Sequence, residues 1–282
     1  MKNYAFLKSL KLRSNTIGIH NRMNTYHSAI NPINGLDMGI PLNIVQNVFT
    51  NLHYGEDIIT PKMIILQFLI GYYTYGKDRY KDALEYNENK YETSKKDLYD
   101  FLIKYKNIYD ISYNLTFLLI SYILLFDEYG YENIPILILL LTTEYYKELK
   151  KINPYLKPTY ISLMWTFSTV ILPCFLHDHN LSILESPMDY IPCILTLFST
   201  STILDLKDIE EDKKNNIQTL PVKYGIEKTS YLSLALLGLS SLLVGLNHNY
   251  LSNPLANSFF ELQNAGLSIL PIIITNSTIN LI

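Results

Sequence analysis

The chain has 282 residues, 48% of them apolar and only 17% charged, with a formal net charge of −3. The charged fraction falls below the roughly 25% of soluble domains, and the slight excess of acid excludes a nucleic-acid surface built on overall positive charge. Cys174 and Cys193 both lie in apolar stretches, which excludes a disulfide framework and a zinc-binding pattern and leaves two buried small hydrophobes.

In chain order, residues 1–37 form a basic N-terminal tail carrying Lys2, Lys8, Lys11, Arg13 and Arg22. Its first 35 residues lack acid and read either as a cytoplasmic tail beside anionic lipid or as an organelle transit peptide. Residues 38–282 read as a single domain. Long stretches in it lack Asp, Glu, Lys and Arg altogether. Extended to their flanking charges, they predict eight membrane helices over 38–54, 60–77, 108–126, 132–149, 158–177, 187–206, 229–247 and 264–282. The third, fifth and seventh carry the cleanest pattern, whereas Asn43, Gln46, Asn47 and Asn51 interrupt the first. The expected fold is therefore all-α, a multi-pass transmembrane helical bundle of about eight helices.

The basic residues support that order of spans. With eight helices, the tail and every Lys- or Arg-bearing loop fall on one face, leaving only Lys62 of the 23 basic residues on the other. The same alternation brings the aspartate-rich ends of the second and sixth helices to that positive, cytoplasmic-type side. A carboxylate at membrane depth is costly, so its placement carries information.

The first aspartate motif is Asp78-Arg-Tyr-Lys-Asp82, and the second is Asp205-Leu-Lys-Asp208-Ile-Glu-Glu-Asp212. Aspartates four apart share a helical face, as do Asp205, Asp208 and Asp212 at i, i+3 and i+7, while Glu210 and Glu211 point elsewhere. Two such faces opposed across a cavity make a set of hard oxygen ligands suited to Mg²⁺ and, through it, to a phosphate ester. A plainer reading pairs Asp78 and Asp82 with Lys81 and Lys77 on a wetted helix end. Thr219-Leu-Pro-Val222 then leads through Gly225 into the next helix. At the end of the fourth helix, in Tyr145-Tyr146-Lys-Glu-Leu-Lys150-Lys151, Lys150 and Lys151 serve either as interfacial anchors or as ligands of a diphosphate. The closest histidine pair, His177 and His179, reads as part of a solvated loop.

Taken together, these elements resemble the UbiA-type membrane prenyltransferase superfamily over roughly residues 60–225. The family's Asn-x-x-x-Asp-x-x-x-Asp signature falls on Thr74, Asp78 and Asp82, with Thr in place of Asn. Its Asp-x-x-Asp-x-x-x-Asp signature falls on Asp205, Asp208 and Asp212, followed by the matching Thr219-Leu-Pro-Val222. Its Tyr-x-x-x-Lys-Arg falls on Tyr146, Lys150 and Lys151. The resemblance implies a Mg²⁺-dependent transfer of an isoprenyl group from an allylic prenyl diphosphate to an unidentified aromatic or lipid-like acceptor, within the lipid bilayer. It implies Asp78 and Asp82 as ligands of one Mg²⁺, Asp208 and Asp212 as ligands of a second, and Asp205 in support. Tyr146, Lys150 and Lys151 would hold diphosphate oxygens, and inward-facing members of Tyr72, Tyr73 and Tyr75 would stabilise an allylic cation. A terpene cyclase of the same superfamily would use the same aspartates without an acceptor.

Overall fold

The computed structural model describes residues 35–54, 57–89, 95–126, 130–214 and 216–246, and every regular element among them is helical. The basic tail up to residue 34 and the expected eighth span at 264–282 lie outside the described residues.

The first element, α1 (Gly39–Tyr54), is preceded by a short 3-10 turn, Leu36–Met38. Gly35 ahead of that turn has φ +101°, a left-handed conformation, and its N–H donates to Asp37 Oδ1 at 3.1 Å. A Cβ on Gly35 would lie 2.5 Å from the backbone nitrogen of Gly76. The start of α1 thus docks backbone to backbone on the stretch just before Asp78. Two of the amides that interrupt this apolar helix bond to neighbouring groups. Gln46 is fully buried and its Oε1 accepts from Gln67 Nε2 at 2.7 Å. Asn43 Nδ2 donates to Gly39 O at 2.8 Å and Ile64 O at 3.4 Å. Polar groups of this kind hold helices together where no water competes.

The second expected span is a helix with a defect in it. Thr60 caps α2 (Pro61–Gly71) by accepting from the Met63 N–H at 3.3 Å, with Pro61 at the first helical position. A π-helical segment, Tyr72–Gly76, follows, and α3 (Lys77–Asn89) continues from it. With α4 (Lys96–Lys104), most of the expected basic loop 78–107 is helical.

Among the described residues, three helices are long and apolar enough to cross a membrane, and they fall on the third, fifth and seventh expected spans. They are α5 (Lys106–Leu125), the continuous run of α8 (Leu156–Thr166), a π segment (Phe167–Ile171) and α9 (Leu172–Asp178), and α13 (Ile226–Leu246). Their exposed faces are apolar. On α5, Ile108, Ile111, Leu115, Leu118 and Tyr122 recur on one face, each more than half exposed. On α13 the usual polarity is reversed: Tyr231, Leu239, Leu242 and Leu246 face out, while Thr229, Ser230, Ser233, Ser240 and Ser241 are buried. Water would invert that arrangement, whereas lipid favours it. Small side chains let α13 lie close against α10 (Pro187–Leu204), where Ser240 Oγ donates to Pro192 O at 2.8 Å and pairs with Thr196 Oγ1 at 2.9 Å.

The remaining elements are short. Between α5 and α8 lie α6 (Ile134–Leu141), the 3-10 turn Thr142–Tyr145 and α7 (Tyr146–Ile152). After α10 come the 3-10 turn Asp205–Asp208, α11 (Ile209–Lys214) and α12 (Leu220–Tyr224). Gly225, at φ +81°, supplies the left-handed residue that turns the chain from α12 into α13.

Candidate active site

Both π segments border one cavity. An extra residue in a helical turn widens the helix and frees a carbonyl, and such defects gather at functional sites. Here one freed carbonyl has a named partner: Gln67 Nε2 donates to Ser168 O at 2.6 Å, in the second π segment. In the first, the Thr74 hydroxyl donates back to Ile70 O at 2.7 Å. The cavity holds about 780 Å³ of empty, partly open space. Its wall is mostly apolar, drawn from α1, α2, α6, α8 and α9 through residues such as Leu42, Ile70, Leu139, Met164 and Leu172. Among the described residues that line it, Asp78 is the one that carries charge.

Aromatic side chains line the cavity along with Asp78. Tyr146 stacks on Tyr160 with ring centres 5.1 Å apart and planes at 25°. Trp165 Nε1 donates to the Tyr75 hydroxyl, and the two rings meet edge to face at 6.2 Å. Of the three tyrosines before the first motif, Tyr75 is the one that lines the cavity. Tyr72 packs on Tyr113 at 5.1 Å and Tyr73 on Phe117 at 5.4 Å, both turned into the helix core.

Tyr146 lines the cavity together with Asp78. Its hydroxyl feels the charges of Asp78, Asp205 and Asp82 together. Asp205, Asp208 and Asp212 approach from the side of α10 and are not part of the cavity wall itself. Asp205 and Asp212 are buried, at 6% and 5% exposure. The Thr219 hydroxyl donates to Asp212 Oδ2 at 3.2 Å, giving the Thr-Leu-Pro-Val stretch a direct link to the motif before it. Burial pushes the Asp212 carboxyl up to about 6; Lys157 and the Thr219 hydrogen bond oppose the rise, while Asp205 and Asp208 add to it.

The lysines divide differently from the sequence expectation. Lys77 and Lys81, which flank Asp78, both reach the Glu144 carboxylate, Lys81 at 2.6 Å. Lys151 lies 3.6 Å from Glu85 on α3, and the side chain of Lys150 lies outside the described residues. The lysine at the second motif is Lys157, whose Nζ is 2.6 Å from Asp205 Oδ1. Sequence reasoning counted Lys157 only as one more basic loop residue. One signal was present: Lys157 opens an otherwise charge-free helix, at the end where the helix dipole disfavours a cation.

Among the described residues, no three His, Cys, Asp or Glu side chains converge as a metal-binding group. The donors are nevertheless all oxygen, and the upward shift of Asp212, caused first by burial, is increased by the neighbouring Asp205 and Asp208. Oxygen donors are the type that a hard divalent cation takes.

The VviA prenyltransferase family model matches residues 188–249. The matched segment runs from the first turn of α10 to just beyond α13 and contains Asp205, Asp208, Asp212 and Thr219–Val222, but neither Asp78 nor Tyr146. It supports a relationship to the UbiA-type prenyltransferases and, in general terms, prenyl transfer as the activity. No curated protein and no solved structure gave a match.

Proposed function

We propose that the chain is a multi-pass membrane enzyme of residues 38–282 that transfers an isoprenyl group from an allylic prenyl diphosphate to an aromatic or lipid-like acceptor, with Mg²⁺ as cofactor. The observation that supports this reading is the cavity itself, in which the Asp78 carboxylate and the Tyr146 hydroxyl stand in a mostly apolar wall with aromatic rings. A prenyl diphosphate has the same polarity along its length, a strongly anionic head and a hydrocarbon tail.

In this reading Asp78 and Asp82 hold one Mg²⁺ and Asp208 and Asp212 a second, with Asp205 beside them. Bound there, Mg²⁺ would supply positive charge to offset that of the leaving diphosphate. Tyr146 orients a phosphate oxygen through its hydroxyl, and Lys150 and Lys151 border the same face. The tail lies among Leu139, Met164 and Leu172. The allylic carbon sits beside the rings of Tyr75, Tyr160 and Trp165, which exclude water and stabilise positive charge by about 1–2 kcal/mol. The site then faces the cytoplasmic-type side of the bilayer, beside the basic loops.

The test is to incubate membranes containing the full chain with labelled farnesyl and geranylgeranyl diphosphates and to identify lipid products by mass spectrometry. Transfer gives a product heavier than the donor's hydrocarbon by the acceptor. A cyclic hydrocarbon formed from donor alone would assign the aspartates to a cyclase, and absence of any product would reject both.

A further inference from the structure

Glu144 stands in the 3-10 turn Thr142–Tyr145, just after the charge-free stretch 133–143. A carboxylate at the end of so apolar a run is costly unless other groups meet it. Three side chains do. The hydroxyl of the buried Tyr73 donates to Glu144 Oε1 at 3.2 Å. The Lys77 ammonium reaches the same oxygen, and the Lys81 ammonium lies 2.6 Å from Oε2. Lys81 also donates to the main-chain oxygen of Glu144 at 2.8 Å. Tyr73, Lys77 and Lys81 follow at four-residue intervals, so Glu144 grips a stripe that runs from the first π segment along α3. A lone exposed ion pair adds little, but a half-buried carboxylate shared by two ammoniums and a phenol is a network that fixes geometry.

Both sides of this clamp carry cavity residues. Asp78, between Lys77 and Lys81 in the sequence, lines the cavity on one side. Thr143 and Tyr146, three residues apart around Glu144, line it on the other. Three residues per turn put those two on one edge of the 3-10 turn and Glu144 on the next. The turn is also fastened to α8, where Thr142 Oγ1 pairs with the Tyr160 hydroxyl at 3.1 Å and Tyr146 stacks on the Tyr160 ring. Glu144 thus joins the wall that carries Asp78 to the wall that carries Tyr146 and Tyr160.

We infer that Glu144 is a positioning residue: its clamp on Tyr73, Lys77 and Lys81 sets the spacing between the Asp78 carboxylate and the Tyr146 hydroxyl. This rests on the prenyl-diphosphate reading and deepens it, for Glu144 itself is not part of the cavity wall. Misplacement by about 1 Å can cost about 10²-fold in rate. The apolar wall that takes the tail is left intact, so donor binding is spared.

Membranes containing the full chain are supplied with labelled farnesyl or geranylgeranyl diphosphate, and kcat and donor KM are measured per folded protein, with melting temperatures in detergent alongside. Glu144→Gln keeps the size and removes the charge. It is expected to lower kcat about 10–10²-fold with KM within about threefold of wild type, and Glu144→Asp is expected to recover part of the rate. Lys81→Met should act in the same direction. The double variant Glu144→Gln/Lys81→Met should fall within about twofold of the poorer single variant, because both changes open one clamp. Unchanged kcat in both single variants overturns the proposal, as does a raised KM at unchanged kcat or a double variant in which the two losses multiply. Losses that only follow the melting temperature overturn it as well and mark a merely structural role. A wild-type chain that converts neither donor overturns the prenyl-diphosphate reading and the positioning role with it.

Discussion

Thr219 Oγ1 donates to Asp212 Oδ2 across 3.2 Å, and both residues are buried. The bond ties the turn before α12 to the end of the second aspartate motif, yet it does not outweigh burial, and the Asp212 carboxyl is pushed up to about 6. Between about pH 4 and pH 6 the folded protein therefore holds a proton that the unfolded chain has released. Stability from this group falls as pH rises through that window, and above it the fold carries the full cost of a buried carboxylate. Asp212→Asn, which can still accept from Thr219, is expected to raise stability by about 1–3 kcal/mol at pH 7–8 in a chelator, with the gain vanishing near pH 4. Thermal unfolding in detergent across that range checks it. Equal stabilisation at every pH would reject the titration argument.

Other carboxylates of the two aspartate motifs are expected to be indispensable for turnover. Asp78→Asn and Asp208→Asn should each lower prenyl transfer by about 10²–10³-fold while the protein still inserts into membranes. EDTA should abolish activity and Mg²⁺ should restore it. Near wild-type turnover in Asp208→Asn, or undiminished activity in chelator, would remove the carboxylates from the reaction.

Gly35 and Gly76 set the position of Asp78 from outside the cavity. Gly35→Ala would place a methyl 2.5 Å from Gly76 N and 2.9 Å from Gly76 Cα, at a φ of +101° that side chains rarely adopt. The substitution is expected to cost about 1–3 kcal/mol and to reduce transfer, because the strain falls on the π segment next to Asp78. Gly238 is the contrasting case: it is exposed on α13 and a Cβ there meets nothing within 4 Å. Gly238→Ala should leave activity unchanged and add up to about 1 kcal/mol of helix stability.

The three longest apolar helices were legible because an unbroken apolar run with one charged end has few other solutions. The aspartate spacings were legible too, since i, i+3, i+4 and i+7 define a face whatever the protein. The geometry around them was not. Tyr72, Tyr73 and Tyr75 look alike in sequence, and the π segment that contains them changes which ring turns inward. Helical periodicity alone does not show such a defect. Lys157 and Asp205 are separated by 48 positions, and nothing local to either one records the other. The amides of α1 looked like interruptions because hydropathy penalises a polar group without asking whether it has a partner.

Gln67 supplies such a partner. It is buried at 1% exposure, and its Nε2 donates to both Gln46 Oε1 on α1 and Ser168 O in the second π segment. One amide therefore joins three stretches of chain around the apolar end of the cavity. Gln67→Leu, close in volume, would leave a buried amide and a freed carbonyl without a donor. Each such loss costs about 1–3 kcal/mol, so an overall destabilisation of about 2–4 kcal/mol is expected. Pairing it with Gln46→Leu removes the orphaned amide on α1 and should recover part of that loss, leaving the Ser168 carbonyl as the remaining cost. Melting temperatures of the two single variants and the double variant, measured in one detergent, test this directly. Strict additivity would show that the two amides do not act as a pair.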